Sequence, residues 1–533
     1  MFHIENKYVV RAHNGTYIGH DCDGVSEFLG MRYAAPAESW KPATAPATTA
    51  ADVQYADAFG LPCFQDYDPK EMSSFGEMSE DCLSLNIWTK DTNSRNKPVL
   101  VYVHGAGGVN GSSAEPLYHG ATFVRDLPEG EDAVFITFNY RLNLFGMLNL
   151  EPLDGYTDEY RHSISIATLD QIQALKWIHE NVEAFGGDAG NVTFMGHSYG
   201  AGTISTHLTI AESRKYFHKA YVISGPLTHR QQTVARSKEI SKIVFEKLGV
   251  KTLQELLDYD KLKMVRQFNE IYAVVGQYGY HRVTDGALVP FDGFSELEKG
   301  GARDIPLMIT YTDGEKDSDI LDIDNIPAAR TDSVEYMWKR ILVMCNNSKG
   351  CASAISADEY PEVVEEFLAQ GENKAERVAD LRNELLFRTG SEYMLELQSR
   401  WNKNTWLGCW RWAPDTEALM KRYGDEAWMS PFGRALHTVD IAFLFNDSGF
   451  ESGVGPKEEQ PPNLARQHQY AVYCFAKTGN PNHEGIPEWK PFTEESRFTM
   501  MIDQEWELVR DYKSEDFRIM RKMIPNFRKN TII

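Results

Sequence analysis

Long apolar runs are missing from these 533 residues. None approaches the length that carries a helix across a bilayer, so no membrane-spanning segment is expected. The opening Met1-Phe-His-Ile-Glu-Asn-Lys7 has no basic segment followed by an apolar stretch, so no signal peptide is expected and a cytoplasmic location is. Cysteine is scarce and odd in number, seven in all, which argues against a dense disulfide framework. Positive charge is in deficit: 54 Lys and Arg face 77 Asp and Glu, a net charge of −23. A surface so acidic repels phosphate backbones and anionic headgroups, which leaves neither nucleic acid nor membrane as an expected partner. There is no His-Glu-x-x-His and no clustered Cys/His ligand spacing, so no metal and no organic cofactor is expected. Internal repeats, low-complexity tracts and long polar linkers are absent too, which favours a single domain over 1–533.

What is present alternates. Short apolar runs at residues 99–103, 133–138, 192–195, 220–223 and 306–310 suit buried strands of a largely parallel sheet. Between two of them, Leu169, Ile172, Leu175, Ile178 and Val182 fall on one face of a helix. Strand alternating with helix predicts an α/β fold. Residues up to Trp88 read as short strands and turns. From about 320 to 430 the chain is rich in Glu, Lys, Arg, Leu and Ala, which predicts a mainly helical insertion over the sheet. Near the C-terminus, residues 518–529 read as a basic, solvated helix that ends before Pro525.

Chemistry concentrates in a few segments. In Gly196-His197-Ser198-Tyr199-Gly200 an apolar strand runs directly into a serine flanked by glycines two residues away on either side. A serine on a sharp strand-to-helix turn projects its hydroxyl, and the glycines relieve the crowding of that turn. The helix that follows would place its positive dipole end near the nucleophile. Upstream, His104-Gly105-Ala106-Gly107-Gly108 follows the strand at 99–103; such a loop can aim N–H groups at a developing oxyanion. It lacks the Gly-Lys-Ser/Thr ending of a phosphate loop. A serine nucleophile also needs an acid and a histidine. Glu315 lies just past the strand at 306–310, where an acid should be, with Asp313 and Asp317 as rivals. His437, in Gly433-Arg-Ala-Leu-His437, sits in a loop leading into an apolar segment. Fifteen histidines leave this choice open by spacing alone.

Several motifs in one order decide it. The chain contains Phe28-Leu-Gly-Met-Arg-Tyr-Ala-Ala-Pro36, Ser79-Glu-Asp-Cys-Leu-Ser-Leu-Asn-Ile-Trp88, Asn139-Tyr-Arg-Leu-Asn-Leu-Phe-Gly-Met-Leu148 and Phe185-Gly-Gly-Asp-Ala-Gly-Asn-Val-Thr193. Lys477-Thr-Gly-Asn-Pro481 and Pro487-Glu-Trp489 follow. Nearly end to end it resembles the type-B carboxylesterase/lipase family, which includes cholinesterases and bacterial para-nitrobenzyl esterases. The resemblance implies an α/β-hydrolase fold, with a central mostly parallel sheet flanked by helices and a helical cap or regulatory insertion. It implies Ser198 as nucleophile, His437 as general base and Glu315 as acid. Backbone N–H groups of Ala106, Gly107 and Tyr199 would form the oxyanion hole, with Ser224 and His197 beside the triad. It also implies an Arg141–Asp170 salt bridge and a Cys63–Cys82 disulfide, although in a reducing cytoplasm the two cysteines would remain free thiols.

Three residues depart from the family pattern: His197 replaces the usual Glu before the nucleophile, Tyr199 the usual Ala after it, and Ala106 the second glycine of the loop. The bulk of Tyr199 must point away from the oxyanion, toward the helix packing or the pocket wall. Loss of the negative charge at 197, with no Trp between Cys63 and Cys82, disfavours choline esters. Arg230 is a candidate partner for an acidic acyl group. The expected protein is a serine carboxylesterase acting on a small-molecule ester, as a monomer or small homo-oligomer. The alternatives are a non-catalytic cholinesterase-like binding protein, and a lactonase, amidase or thioesterase on the same triad.

Overall fold

Among the described residues, eleven strands build one mixed sheet. In chain order they are β1 (His20–Cys22), β2 (Val25–Arg32), β3 (Ser84–Thr89), β4 (Lys97–Val103), β5 (Val134–Phe138), β6 (Gly187–His197), β7 (Lys219–Ile223), β8 (Leu307–Thr312), β9 (Thr405–Trp410), β10 (Phe498–Ile502) and β11 (Glu507–Arg510). Their order across the sheet is β11-β10-β9-β8-β7-β6-β4-β5-β3-β2-β1. From β5 through β10 neighbours run parallel, while β1, β2, β3 and β11 add antiparallel edges. The computed structural model describes residues 7–65, 77–228, 231–268, 270–271, 281–317, 361–415, 430, 432–446 and 460–529.

The parallel strands are buried on both faces, as β-branched runs between helical layers must be. In β4, Val99, Val101 and Val103 enter one core, whereas Leu100 and Tyr102 enter the other. Helix α1 (Gly120–Arg125) comes earlier in the chain than α2 (Ile166–Asn181), which covers the first face with Leu175, Trp177 and Ile178. The expected helical face is therefore real, with Leu169 only half-buried at its start. Helix α3 (Tyr199–His207) follows β6 directly. Helices α4 (Lys374–Asn383) and α5 (Thr389–Ser399) lie between β8 and β9, and α6 (Val439–Phe445) packs with Tyr473 and Phe475 on the second face.

Two expectations need correction. Residues 405–410 are the sheet strand β9, hydrogen-bonded between β8 and β10. The helices described before it are thus the crossover joining two parallel strands, and a helical insertion does not continue to 430. The C-terminal helix does not stop before Pro525. Helix Ser514–Met520 passes through a tight turn into a further helix, Ile524–Lys529, where Pro525 takes the second position. In a first turn the missing N–H costs no intrahelical bond. The segment is also less solvated than expected, since Phe517, Met520, Met523 and Ile524 are buried.

Candidate active site

The turn at Ser198 is built by close approach. Ser198 has φ +56° and ψ −119°, a conformation L-residues avoid. Such strain costs about 1–3 kcal/mol and persists only where neighbours impose it. Here the Ser198 N–H donates to the Ile223 carbonyl at 2.8 Å, and the Ser198 carbonyl accepts from Gly202 N–H at 2.9 Å. A Cβ at Gly200 would stand 2.2 Å from the Val103 carbonyl oxygen, and one at Gly196 2.8 Å from the Gly200 carbonyl carbon. Only glycine lets β6 fold back into α3 this tightly.

The next two strands bring the other groups to the same edge. Ser224 follows β7 directly with φ +55°, and its N–H donates to the Thr310 carbonyl at 2.8 Å. Glu315 follows β8. Its Oε1 accepts from Thr312 N–H at 2.9 Å and its Oε2 lies 2.5 Å from Nδ1 of His437. The backbone ties the same pair again, His437 N–H donating to the Glu315 carbonyl at 3.0 Å. Burial raises the Glu315 pKa above the usual range, opposed by the nearby Ser224 hydroxyl and by Thr312 N–H. That hydroxyl has no well-formed hydrogen bond among the described residues.

The rival carboxylates are engaged elsewhere. Asp317 pairs with Arg434 at 2.7 Å, and Asp313 accepts from the Tyr512 hydroxyl at 2.8 Å. Three carboxylates within five residues point in different directions, and only that of Glu315 reaches the histidine.

Two rings flank His437. Phe387 lies 5.2 Å away, centroid to centroid, carried on the π-helical turn Glu384–Arg388 between α4 and α5. His197, covalently next to Ser198, lies at 4.5 Å. Burial, then the neighbouring His437, push the pKa of His197 well below normal, so its imidazole is neutral.

The glycine loop lies beside this edge. Ala106, Gly107 and Gly108 have φ of +54°, +70° and +73° in succession, which turns the backbone sharply above β4. Ala106 is exposed and Gly107 half-buried, so this backbone faces the outside of the sheet edge. The buried His104 anchors the loop from below, its ring stacked on Tyr140 at 4.7 Å and its pKa pushed down to about 3 by burial. Tyr199 resolves the question of its bulk. Its ring is fully buried beneath Gly108, where a Cβ would come within 2.4 Å of it. Its hydroxyl reaches Met147 Sδ at 2.9 Å, and the Arg282 guanidinium lies 4.4 Å over its ring. Tyr199 is therefore a prop under the loop, turned neither into the cleft nor toward its wall.

Sequence reasoning missed three residues here: Phe387, Arg282 and Asp440. Asp440, on the first turn of α6, is 1% exposed, and neither carboxyl oxygen has a well-formed hydrogen bond among the described residues, the backbone N–H groups of Asp440 and Ile441 lying nearest. Burial, then the charge of Glu315, push its pKa up to about 8. Its placement three residues after His437 was the one available signal. The Arg141–Asp170 pair is present and buried, at 2.6 Å, and Cys63 and Cys82 are bridged with Cα atoms 5.0 Å apart. Arg230 lies outside the described residues.

A strained serine after one parallel strand, a carboxylate-bound histidine anchored after the next strand but one, and a glycine loop beside them belong to an α/β-hydrolase. The chain belongs to the carboxylesterase family, whose profile matches residues 6–520. It is 29% identical to the para-nitrobenzyl esterase of Bacillus subtilis (strain 168) over 95% of this chain and 97% of that protein. The phenmedipham hydrolase of Pseudarthrobacter oxydans is 25% identical over 94% and 96% of the two chains. Among solved structures, a thermophilic para-nitrobenzyl esterase superposes with a TM-score of 0.78 at 26% identity, covering 97% of this chain and 100% of its own. A carboxylesterase of Geobacillus stearothermophilus reaches 0.79 at 24% identity, over 96% and 99%, a likeness of fold. The protein is a carboxylic ester hydrolase.

Proposed function

We propose that this protein hydrolyses uncharged carboxylic esters by two acyl transfers through Ser198, His437 and Glu315. The observation that carries the reading is the Glu315–His437 bond at 2.5 Å beside a strained Ser198. His437 takes the Ser198 proton as the hydroxyl oxygen attacks the ester carbonyl. Glu315 holds the imidazole tautomer through Nδ1 and stabilises the imidazolium. Backbone N–H groups of Ala106, Gly107 and Tyr199 receive the oxyanion. The imidazolium returns the proton to the departing alcohol, and water, activated by the same imidazole, releases the acid from Ser198.

The preference for uncharged esters rests on His197. A neutral imidazole next to the nucleophile offers no carboxylate to a cationic alcohol. The para-nitrobenzyl esterase relative makes para-nitrobenzyl esters the first substrates to try.

The test is labelling with an organophosphonate during ester turnover, followed by peptide mapping. One equivalent on Ser198, with activity lost in parallel, is expected. Label on another residue, or full activity after complete labelling of Ser198, sinks the assignment.

A further inference from the structure

A second cluster of reactive side chains lies at the far edge of the sheet. Glu27 on β2 is 4% exposed, an expensive place for a carboxylate unless it is well partnered. Its Oε2 accepts from Trp88 Nε1 at 2.5 Å and lies 2.7 Å from Nε2 of His119, while Oε1 lies 2.9 Å from Nε2 of His20. Cys22, half-buried at the end of β1, completes the group. Its sulfur, a Glu27 carboxylate oxygen and a ring nitrogen of His119 all lie within 4.8 Å of one another.

We propose that Cys22, Glu27 and His119 bind a divalent transition-metal ion of the zinc class. The donor set of thiolate, carboxylate and imidazole suits zinc and its neighbours, whereas magnesium and calcium require oxygen ligands. With metal–ligand bonds of about 2.0–2.3 Å, tetrahedral donors stand roughly 3.3–3.8 Å apart. The observed spread brackets that range, and the His119–Glu27 contact needs to open by about 0.6 Å.

The surroundings hold the donors in place. His20 and Trp88 bind the Glu27 carboxylate from two sides, as outer partners of metal ligands do. The His119 ring packs against Trp88 at 5.3 Å and Phe59 at 6.2 Å. Helix α1 is pressed onto the sheet immediately after His119, since a Cβ at Gly120 would stand 2.6 Å from the Trp88 ring. On binding, the Cys22 thiol gives its proton to solvent as the metal–sulfur bond forms. Three protein ligands leave a fourth position for water.

The site clamps the β1–β2 hairpin to α1, several strands away from Ser198 in the sheet. Linear spacing could not reveal it, because two ligands lie on the hairpin and the third follows two more strands of the sheet.

Co2+ titration of the chelator-treated full-length protein tests this by absorbance. One equivalent is expected to give a near-ultraviolet thiolate-to-metal charge-transfer band that one equivalent of Zn2+ abolishes. Cys22→Ser and His119→Gln should lose the band, Cys474→Ser should keep it, and His20→Gln should weaken binding by about 10- to 100-fold. No band in the folded wild type, or one that survives Cys22→Ser or vanishes in Cys474→Ser, overturns the proposal. A second measurement needs no variant. Zn2+ should protect Cys22 of the wild type from alkylation, and equal labelling with and without Zn2+ likewise overturns it.

Discussion

Gly108 and Tyr199 should behave as one unit, and breaking that unit should cost both catalysis and stability. A methyl group at Gly108 would meet Tyr199 Cζ at 2.4 Å and the two Cε atoms at 2.6 and 2.7 Å. Carbon atoms rest about 3.5–4.0 Å apart, so in Gly108→Ala the loop must lift by about 1 Å or the buried ring must move. The ring has little room, held by Met147 at its hydroxyl and Arg282 over its face. The loop is the side that yields. Oxyanion donors work at about 2.7–3.1 Å, so a lift of that size removes at least one, lowering kcat by about 100- to 1,000-fold. Stability should fall by roughly 2–5 kcal/mol, combining the left-handed conformation with the overlap.

Tyr199→Ala removes the obstacle. In that background Gly108→Ala keeps its conformational penalty and loses the overlap. Steady-state kinetics on a para-nitrophenyl ester, with urea unfolding alongside, compares the four proteins. We expect kcat of the double variant within about threefold of Tyr199→Ala alone, since no donor is then displaced. Tyr199→Phe keeps the ring and should keep the full sensitivity to Gly108→Ala. If Gly108→Ala lowers kcat by the same factor whether residue 199 is Tyr or Ala, the ring is not what positions the loop, and the reasoning fails.

Glu315→Gln leaves the shape of the site intact while removing the charge that fixes His437, so kcat should fall by about 10,000-fold. Asp313→Asn, whose carboxylate faces Tyr512, should stay within a few-fold of wild type; comparable losses in both variants would contradict the pairing seen at His437. Asp440 should give the protein an alkaline weakness. Its folded pKa of about 8 exceeds the unfolded value near 3.9, so the folded state holds the extra proton and stability falls as pH rises through that interval. Between pH 5 and 8 Asp440→Asn should remove up to about 4 kcal/mol of that decline in urea unfolding, and identical pH profiles would refute the assignment.

What could be read without coordinates, and what could not, divides along a physical line. The strand cores at 99–103 and 192–195 are legible because β-branched runs must be buried on both faces. Ser198 is legible because a strand folding back into a helix admits no Cβ at 196 or 200, a demand the backbone makes at fixed offsets. Strand β9 escaped for the opposite reason. Thr405-Trp-Leu-Gly-Cys-Trp410 has little β-branching, and it follows a Glu- and Lys-rich stretch that is mainly helical over the described residues 361–399. Among Asp313, Glu315 and Asp317, the turn after β8 decides which carboxylate meets the histidine, and three acids within five residues carry no mark of that choice. The prop beneath the oxyanion loop is still less legible. Tyr199 reads as an awkward substitution beside the nucleophile until Gly108, ninety-one positions earlier (199 − 108 = 91), is seen to be the surface it fills. A glycine chosen for its own φ and a glycine chosen for a distant ring look alike in one dimension. At Gly108, φ is +73° and the ring is in contact, so both demands act there, and the double-variant cycle at 108 and 199 is what separates them.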